Sequence, residues 1–241
     1  EPGAFIQLKN AIIKNPSADI VLFGFNIFRN DKLLRTPHPE NSIFKSNELN
    51  KFLLIRKLFI SACNKLYRRE YITDFFDSSI VHGEDFRFNY QNMKRGMIVV
   101  AIPDCLYDVY LDTENSVNKR YKKGRLRDNV LNACIELKRN DEIFGSEALL
   151  KIIMEESINV IAVCICLSVL KLPKEECLAE FESAYVCLGN NLSSSSKGIK
   201  ARFDNKIVWT LFVNKHFELL YYICKIITSA KDTLKWLKNH G

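Results

Sequence analysis

The sequence predicts an α/β fold that gives way to an all-helical subdomain, and three observations carry that prediction. Two apolar runs of strand length, residues 20–25 and 97–102, lie among amphipathic stretches in the first half of the chain. After about residue 120 the apolar spacing becomes helical almost to the end. The charge divides in the same place: residues 1–116 hold 15 Lys/Arg against 14 Asp/Glu, whereas residues 117–241 hold 20 against 14, so nearly all of the net +7 belongs to the second half. We therefore expect two domains, 1–120 and 121–241.

The elements follow in order. Phe5, Leu8, Ile12 and Ile13 recur at helical spacing over residues 4–15. Ser17-Ala18-Asp19 then leads into Ile20-Val21-Leu22-Phe23-Gly24-Phe25, too short for a helix and apolar throughout, as a buried strand is. Residues 30–45 are rich in Asn, Asp, Pro and Thr and predict a loop or irregular hairpin. Ser46-Asn47-Glu48-Leu49 opens a second helix with an N-cap. After Gly83, a helix is expected to turn Phe86, Tyr90 and Met93 inward. Residues 97–102 form a strand ended by Pro103-Asp104, and residues 106–111 a third. Helices are predicted over 128–138 and 147–170, Pro173 starts another at about Lys174, and 190–198 is a polar Ser-rich loop. The nearly continuous apolar run 158–170 falls short of the ~20 residues a membrane span needs, so a buried core helix is expected there.

Composition narrows the function classes. A chain that is 47% hydrophobic and 26% charged can bury a core, which excludes disorder as a description of the whole. The eight cysteines have no repeating pattern, several lie in apolar runs, and a reduced, cytoplasmic protein is the expectation. There is no Cys-x-x-Cys pair and there are four scattered histidines, so a zinc site has little support. The opening Glu1-Pro2-Gly3-Ala4-Phe5 carries neither an initiator Met nor a basic n-region, and reads as the start of a fragment or processed piece.

The chemistry concentrates between Ser61 and Ser116. Glu84 and Asp85 begin a helix, where free N–H groups and the helix dipole stabilise negative charge. Such a carboxylate can take a proton from a hydroxyl, and it can equally do no more than cap the helix. Asn64-Lys65-Leu66-Tyr67-Arg68-Arg69-Glu70 sets a cation beside an apolar Leu-Tyr anchor about twenty residues earlier. Lys65 is either an active-site cation or a solvated surface lysine, and Asn64 fixes its loop. His82 precedes the carboxylate pair, where it packs the loop or contacts a ligand. Asn89, the strand of residues 98–102, Leu106-Tyr107 and Glu114-Asn115-Ser116 follow in order.

This ordered set resembles the family-2 inverting glycosyltransferases of the GT-A type, in particular bacterial enzymes of capsular and other surface polysaccharide synthesis. The resemblance covers residues 1–120 and implies the acceptor-side, C-terminal part of a GT-A sandwich. It implies that Glu1 falls just after an Asp-x-Asp motif. The nucleotide-binding strand and the ligands of a Mg2+ or Mn2+ cofactor would then lie upstream of residue 1. By the same resemblance Asp85 is the general base, Glu84 its partner, and Lys65, Asn64, His82, Tyr107 and Ser116 contact acceptor or diphosphate. The partners implied are a nucleotide-sugar donor and a glycan or lipid-linked glycan acceptor at the inner face of the membrane. This fragment alone is expected to be inactive. One departure stands out: Leu111 occupies the place where relatives often carry an Arg.

The tail poses a separate question. Residues 197–241 contain nine Lys/Arg and three Asp/Glu interleaved with Trp209, Phe212, Phe217, Tyr221, Tyr222 and Trp236. Basic amphipathic helices with aromatic edges suit an anionic membrane surface over 200–240. They suit equally a helical subdomain whose apolar face covers the core and whose lysines are solvated, and the alternative to the transferase is a noncatalytic helical interaction or membrane-surface binding module. No nucleic-acid-binding signature accompanies the charge, and nucleic acid is not expected as a partner.

Overall fold

The computed structural model describes residues 3–111, 121–189 and 200–240, with side chains through residue 230. The chain forms two compact units. The first comprises Glu1–Asp77, Glu84–Arg120 and Arg139–Gly145; the second comprises Ser78–Gly83, Tyr121–Lys138 and Ser146–Gly241. The protein is thus mixed α/β, with a five-stranded mixed sheet in the first unit and a helical second unit.

In the first unit, helix α1 (Ala4–Lys14) precedes strand β1 (Ile20–Arg29), which runs longer than its apolar core suggests. Asn30 and Asp31 both take positive φ, 46° and 57°, and form a two-residue turn into β2 (Lys32–Arg35). Positive φ at both central residues matches the right-handed twist of a hairpin, and Asn and Asp tolerate it best among non-glycines. Strand β3 (Ser42–Lys45), helix α2 (Leu49–Phe59), strand β4 (Lys65–Tyr67), helix α3 (Glu84–Asn92) and strand β5 (Ile98–Tyr110) follow. The strand order is β2-β1-β5-β3, with β4 also on β1; β1 and β5 are parallel and the remaining pairs antiparallel.

Three local details differ from the sequence reading. Pro103-Asp104 does not end a strand, because β5 runs unbroken through it. Its register against β1 shifts between Ala101 and Cys105, and its partner β3 stops at Ala101, so the missing proline N–H falls where no ladder bond is required. Opposite this irregularity, Gly24 lies under the 36–41 loop. A Cβ there would stand 2.6 Å from the His38 Cβ and 2.8 Å from the Cys105 Sγ, so only glycine allows the close crossing.

Ser46 does not cap α2, whose N-cap is Glu48 without a side-chain bond. Its buried hydroxyl instead donates to Lys94 O at 2.6 Å and accepts from Met97 N at 3.1 Å, fastening the end of β3 to the turn before β5. Phe86 is half-buried and stacked on the buried Tyr90, centroids 4.3 Å apart, while Met93 is fully inside.

Side-chain alternation along β1 gives the sheet two covered faces. Val21 and Phe23 join Leu8 and Ala11 of α1, Val100 and Leu106 in one cluster, with Leu66 packed against it. Ile20 and Leu22, both fully buried, point to the other face. Arg139 closes the C-terminal end of α3: its guanidinium donates to Tyr90 O at 2.8 Å and Gln91 O at 2.6 Å, satisfying carbonyls that the helix leaves open.

The second unit holds α4 (Arg125–Arg139, whose last residue belongs to the first unit), α5 (Glu147–Lys171), α6 (Lys174–Leu188), α7 (Phe203–Val213) and α8 (Phe217–His240). Ser146 caps α5 by accepting from Leu149 N at 3.2 Å, and Pro173 precedes α6 as expected. By length and composition α5 is long and apolar enough to cross a membrane, and 56% of its most apolar window is buried inside the structure. Ile158, Ile161 and Ile165 are among the residues it buries, and it packs on α7 and α8. Trp209, Phe181 and Phe212 complete this core. The buried Glu180 accepts from Tyr121 Oη at 2.6 Å and from Leu126 N at 3.1 Å. The predicted 190–198 loop lies outside the described residues.

Ser46→Ala removes one buried acceptor and one donor together, so unfolding free energy in urea is expected to fall by about 1–3 kcal/mol. An unchanged midpoint would show that the pin contributes nothing.

Candidate active site in the α/β unit

Strand β4 pairs with β1 through Leu22↔Lys65, Val21↔Leu66 and Ile20↔Tyr67. Leu66 therefore shares the α1 face with Val21, and Lys65 and Tyr67 take the opposite face. The polar groups of the 61–89 region gather there.

Asn89 is the centre of that arrangement. Wholly buried, it donates from Nδ2 to Phe59 O at 2.8 Å and Ile60 O at 2.9 Å, and its Oδ1 accepts from Tyr67 Oη at 2.7 Å. One side chain of α3 thus holds the end of α2 and the strand β4. Asp85, one helical turn earlier, lies on the same flank of α3 and is half-buried. Its Oδ2 accepts from Ala62 N at 3.1 Å. Its Oδ1 makes no hydrogen bond among the described residues and is left to accept one from elsewhere. Glu84 precedes it in the first turn and is exposed.

Lys65 is not a solvated surface lysine. It is buried, with its Nζ donating to Leu58 O at 2.9 Å, to Asn64 Oδ1 at 2.8 Å and to Ser61 O, and it lies 5.1 Å from the Phe59 ring centroid. Asn64, also buried, donates to Leu58 O at 3.1 Å. Both residues therefore satisfy carbonyls at the C-terminal end of α2, where a helix has none of its own donors to offer. Burial pulls the Lys65 amine down to about 7 from the ordinary lysine value of 10.5, and the electrostatic influence of Cys63 and Asp85 only partly offsets this. The Tyr67 hydroxyl is pushed far upward, by burial first and by Asp85 second, so it remains a neutral donor.

Of the remaining sequence candidates, Tyr107 and His82 fall among the described residues. Tyr107 is exposed on β5. His82 belongs to the second unit, in the segment Ser78–Gly83. There the buried Asp128 carboxylate accepts from Val81 N at 2.8 Å and His82 N at 3.2 Å. Gly83 adopts φ +76°, and a Cβ would lie 2.4 Å from Asn132 Nδ2. Ser116 lies outside the described residues, as do Glu114 and Asn115. Among the described residues no three His, Cys, Asp or Glu side chains are placed to hold a metal ion.

In the sequence Asn89 carries no evident role and Tyr67 stands only as an apolar anchor, whereas in the fold the two are hydrogen-bonded to each other. The four-residue interval from Asp85 to Asn89 sets the two on one flank of a helix, but it carries no sign of the partners that Asn89 finds.

No family model, curated protein or solved structure matches this chain.

The lowered Lys65 pKa has a definite consequence for stability. The folded state releases a proton that the unfolded chain keeps between about pH 7 and 10.5, so the amine's destabilising effect is full below pH 7 and fades as pH rises through that window. Relative to Lys65→Met, the unmodified protein should gain a few kcal/mol of unfolding free energy between pH 7 and 10. Parallel stability–pH curves would contradict a buried amine titrating there.

Proposed function

We propose that this chain is the acceptor-side, C-terminal part of a GT-A sugar transferase, acting with inversion on a nucleotide-sugar donor and a glycan or lipid-linked glycan hydroxyl in surface polysaccharide synthesis. The observation that carries the reading is Asp85: a half-buried carboxylate in the first turn of α3, with one oxygen fixed by Ala62 N and the other open. The order Asn64-Lys65-Leu66-Tyr67, Gly83-Glu84-Asp85, Asn89 and Leu106-Tyr107, which resembles that family, supports it as well.

In this mechanism Asp85 Oδ1 accepts the proton of the acceptor hydroxyl as that oxygen attacks the anomeric carbon. The bond from that carbon to the diphosphate oxygen breaks on the opposite side, and the nucleoside diphosphate departs with the electron pair. One displacement inverts the configuration. Glu84, exposed beside Asp85, orients the acceptor. Lys65 directs its donors to protein oxygens, so its role is to hold the 61–64 loop that supplies Ala62 N. The Mg2+ or Mn2+ implied by the resemblance would assist the departing diphosphate.

A second reading, attachment to an anionic membrane surface at the inner leaflet, is favoured by α8. Leu219, Tyr222 and Ile226 are each more than half exposed and spaced three and four apart, giving an apolar stripe on one face. Lys225 lies 5.0 Å over the Tyr221 ring beside it.

Two measurements check these readings. Nucleoside diphosphate release from nucleotide sugars should be absent for the 241-residue chain and present in one extended upstream through an Asp-x-Asp segment. Asp85→Asn in that longer chain should lower turnover by on the order of 100-fold; near-normal turnover would remove Asp85 from the mechanism. In liposome flotation the protein should rise with vesicles containing phosphatidylserine and stay down with phosphatidylcholine alone. Flotation independent of lipid charge, or none, would count against the surface reading.

A further inference from the structure

A groove of about 620 Å³ on the α1 face of the sheet is unused by the transferase reading. Its size falls within the ~300–1,000 Å³ typical of small-molecule sites. Ala11 and Val100, both buried, form its floor with the half-buried Ile102. Val100 pairs with Ile43 across β5 and β3 and joins the α1 cluster, whereas Lys65 and Tyr67 point to the other face. The groove and the Asp85 region are therefore on opposite sides of the sheet.

Polar side chains from three separate stretches form its rim. Gln7, Asn10 and Lys14 lie on successive turns of α1, at spacings of three and four that align them on one face. Asn41 comes from the lead-in to β3, and Asp104 from the irregular stretch of β5. None of these five side chains makes a hydrogen bond or ion pair among the described residues. Three exposed amides thus line a groove whose floor is apolar.

The chemistry of this rim selects a ligand class. An amide offers donor and acceptor together, as a hydroxyl does, so three of them suit a solute carrying several hydroxyls. One ammonium and one carboxylate cancel in charge, which does not favour a phosphate or another strong anion. A lone carboxylate is a poor cation site. Among the described residues the lining includes no aromatic ring to stack a nucleobase, while Ile43, Ile102 and Pro103 offer an apolar surface for the C–H face of a ring. We infer that this groove binds a neutral saccharide, at a site separate from Asp85. The inference goes beyond the transferase reading and does not rest on it.

Amide-resolved NMR titration of the 241-residue chain tests it, with maltotriose and tri-N-acetylchitotriose as neutral saccharide probes and inorganic phosphate as the anion control. Expected are shifts at residues 7–15 and 41–43, including the side-chain amides of Gln7, Asn10 and Asn41, with at least one saccharide and not with phosphate. The exposed-site double variant Gln7→Ala/Asn10→Ala should bind at least about 10-fold more weakly, as loss of two hydrogen bonds implies. Asp85→Asn should bind as the unmodified chain does, whether or not the protein proves to be a transferase. The inference is overturned if neither saccharide at ~10 mM, a concentration that detects even millimolar affinity, moves those resonances. A double variant that retains full affinity, or a response to phosphate alone, overturns it equally.

Discussion

The buried amide of Asn89 is the constraint on which the candidate site depends. It joins three elements that the chain delivers separately: two backbone carbonyls at the end of α2 and the Tyr67 hydroxyl on β4, both held from α3. A buried amide left without partners costs ~1–3 kcal/mol per lost bond, so the arrangement is kept whole or lost together. Asp85 inherits its place from that bond set, because a helix turn separates it from Asn89 and its own carboxylate reaches back to Ala62 N.

The same principle recurs at other element ends of the α/β unit. Helices finish with carbonyls that have no intrahelical donor. Here Asn64 and Lys65 serve α2, and Arg139, far along the chain, serves α3. Ser46 does comparable work for the turn before β5. Each is a polar side chain, buried or partly buried, that meets a backbone group at the end of an element. For Lys65 the consequence is chemical as well as structural, since burial lowers its amine to about 7 even with three acceptors around it.

Much of the element order was legible in the sequence because it rests on local periodicity. The helix after Gly3, the strand from Ile20, the helix opening at Glu84 and the helix after Pro173 all follow from apolar spacing and the backbone preferences of Gly and Pro. The misread positions are those at which a distant partner decides. Pro103 reads as a terminator, but the register against β1 slips where it falls, and β5 continues. Ser46 reads as a cap, but a carbonyl and an amide forty-eight to fifty-one residues away claim its hydroxyl. Of the candidate site, Asp85 and Glu84 were readable from the Gly-Glu-Asp helix start; the structural part of Asn89 was not, since an Asn in a helix gives no sign of what lies beneath it.

The sequence by itself determined an α/β portion followed by helices, and the residue types of the 61–89 region, because these depend on composition and on spacings of a few residues. The tertiary structure decided that Lys65 is buried rather than solvated and that His82 falls in the second unit. It also decided that free amides from α1 and from the stretch before β3 face one groove. These depend on which strand edges pair and which side of the sheet each residue faces. A single step of register reverses such a facing, and local sequence does not fix the pairing of segments separated by tens of residues.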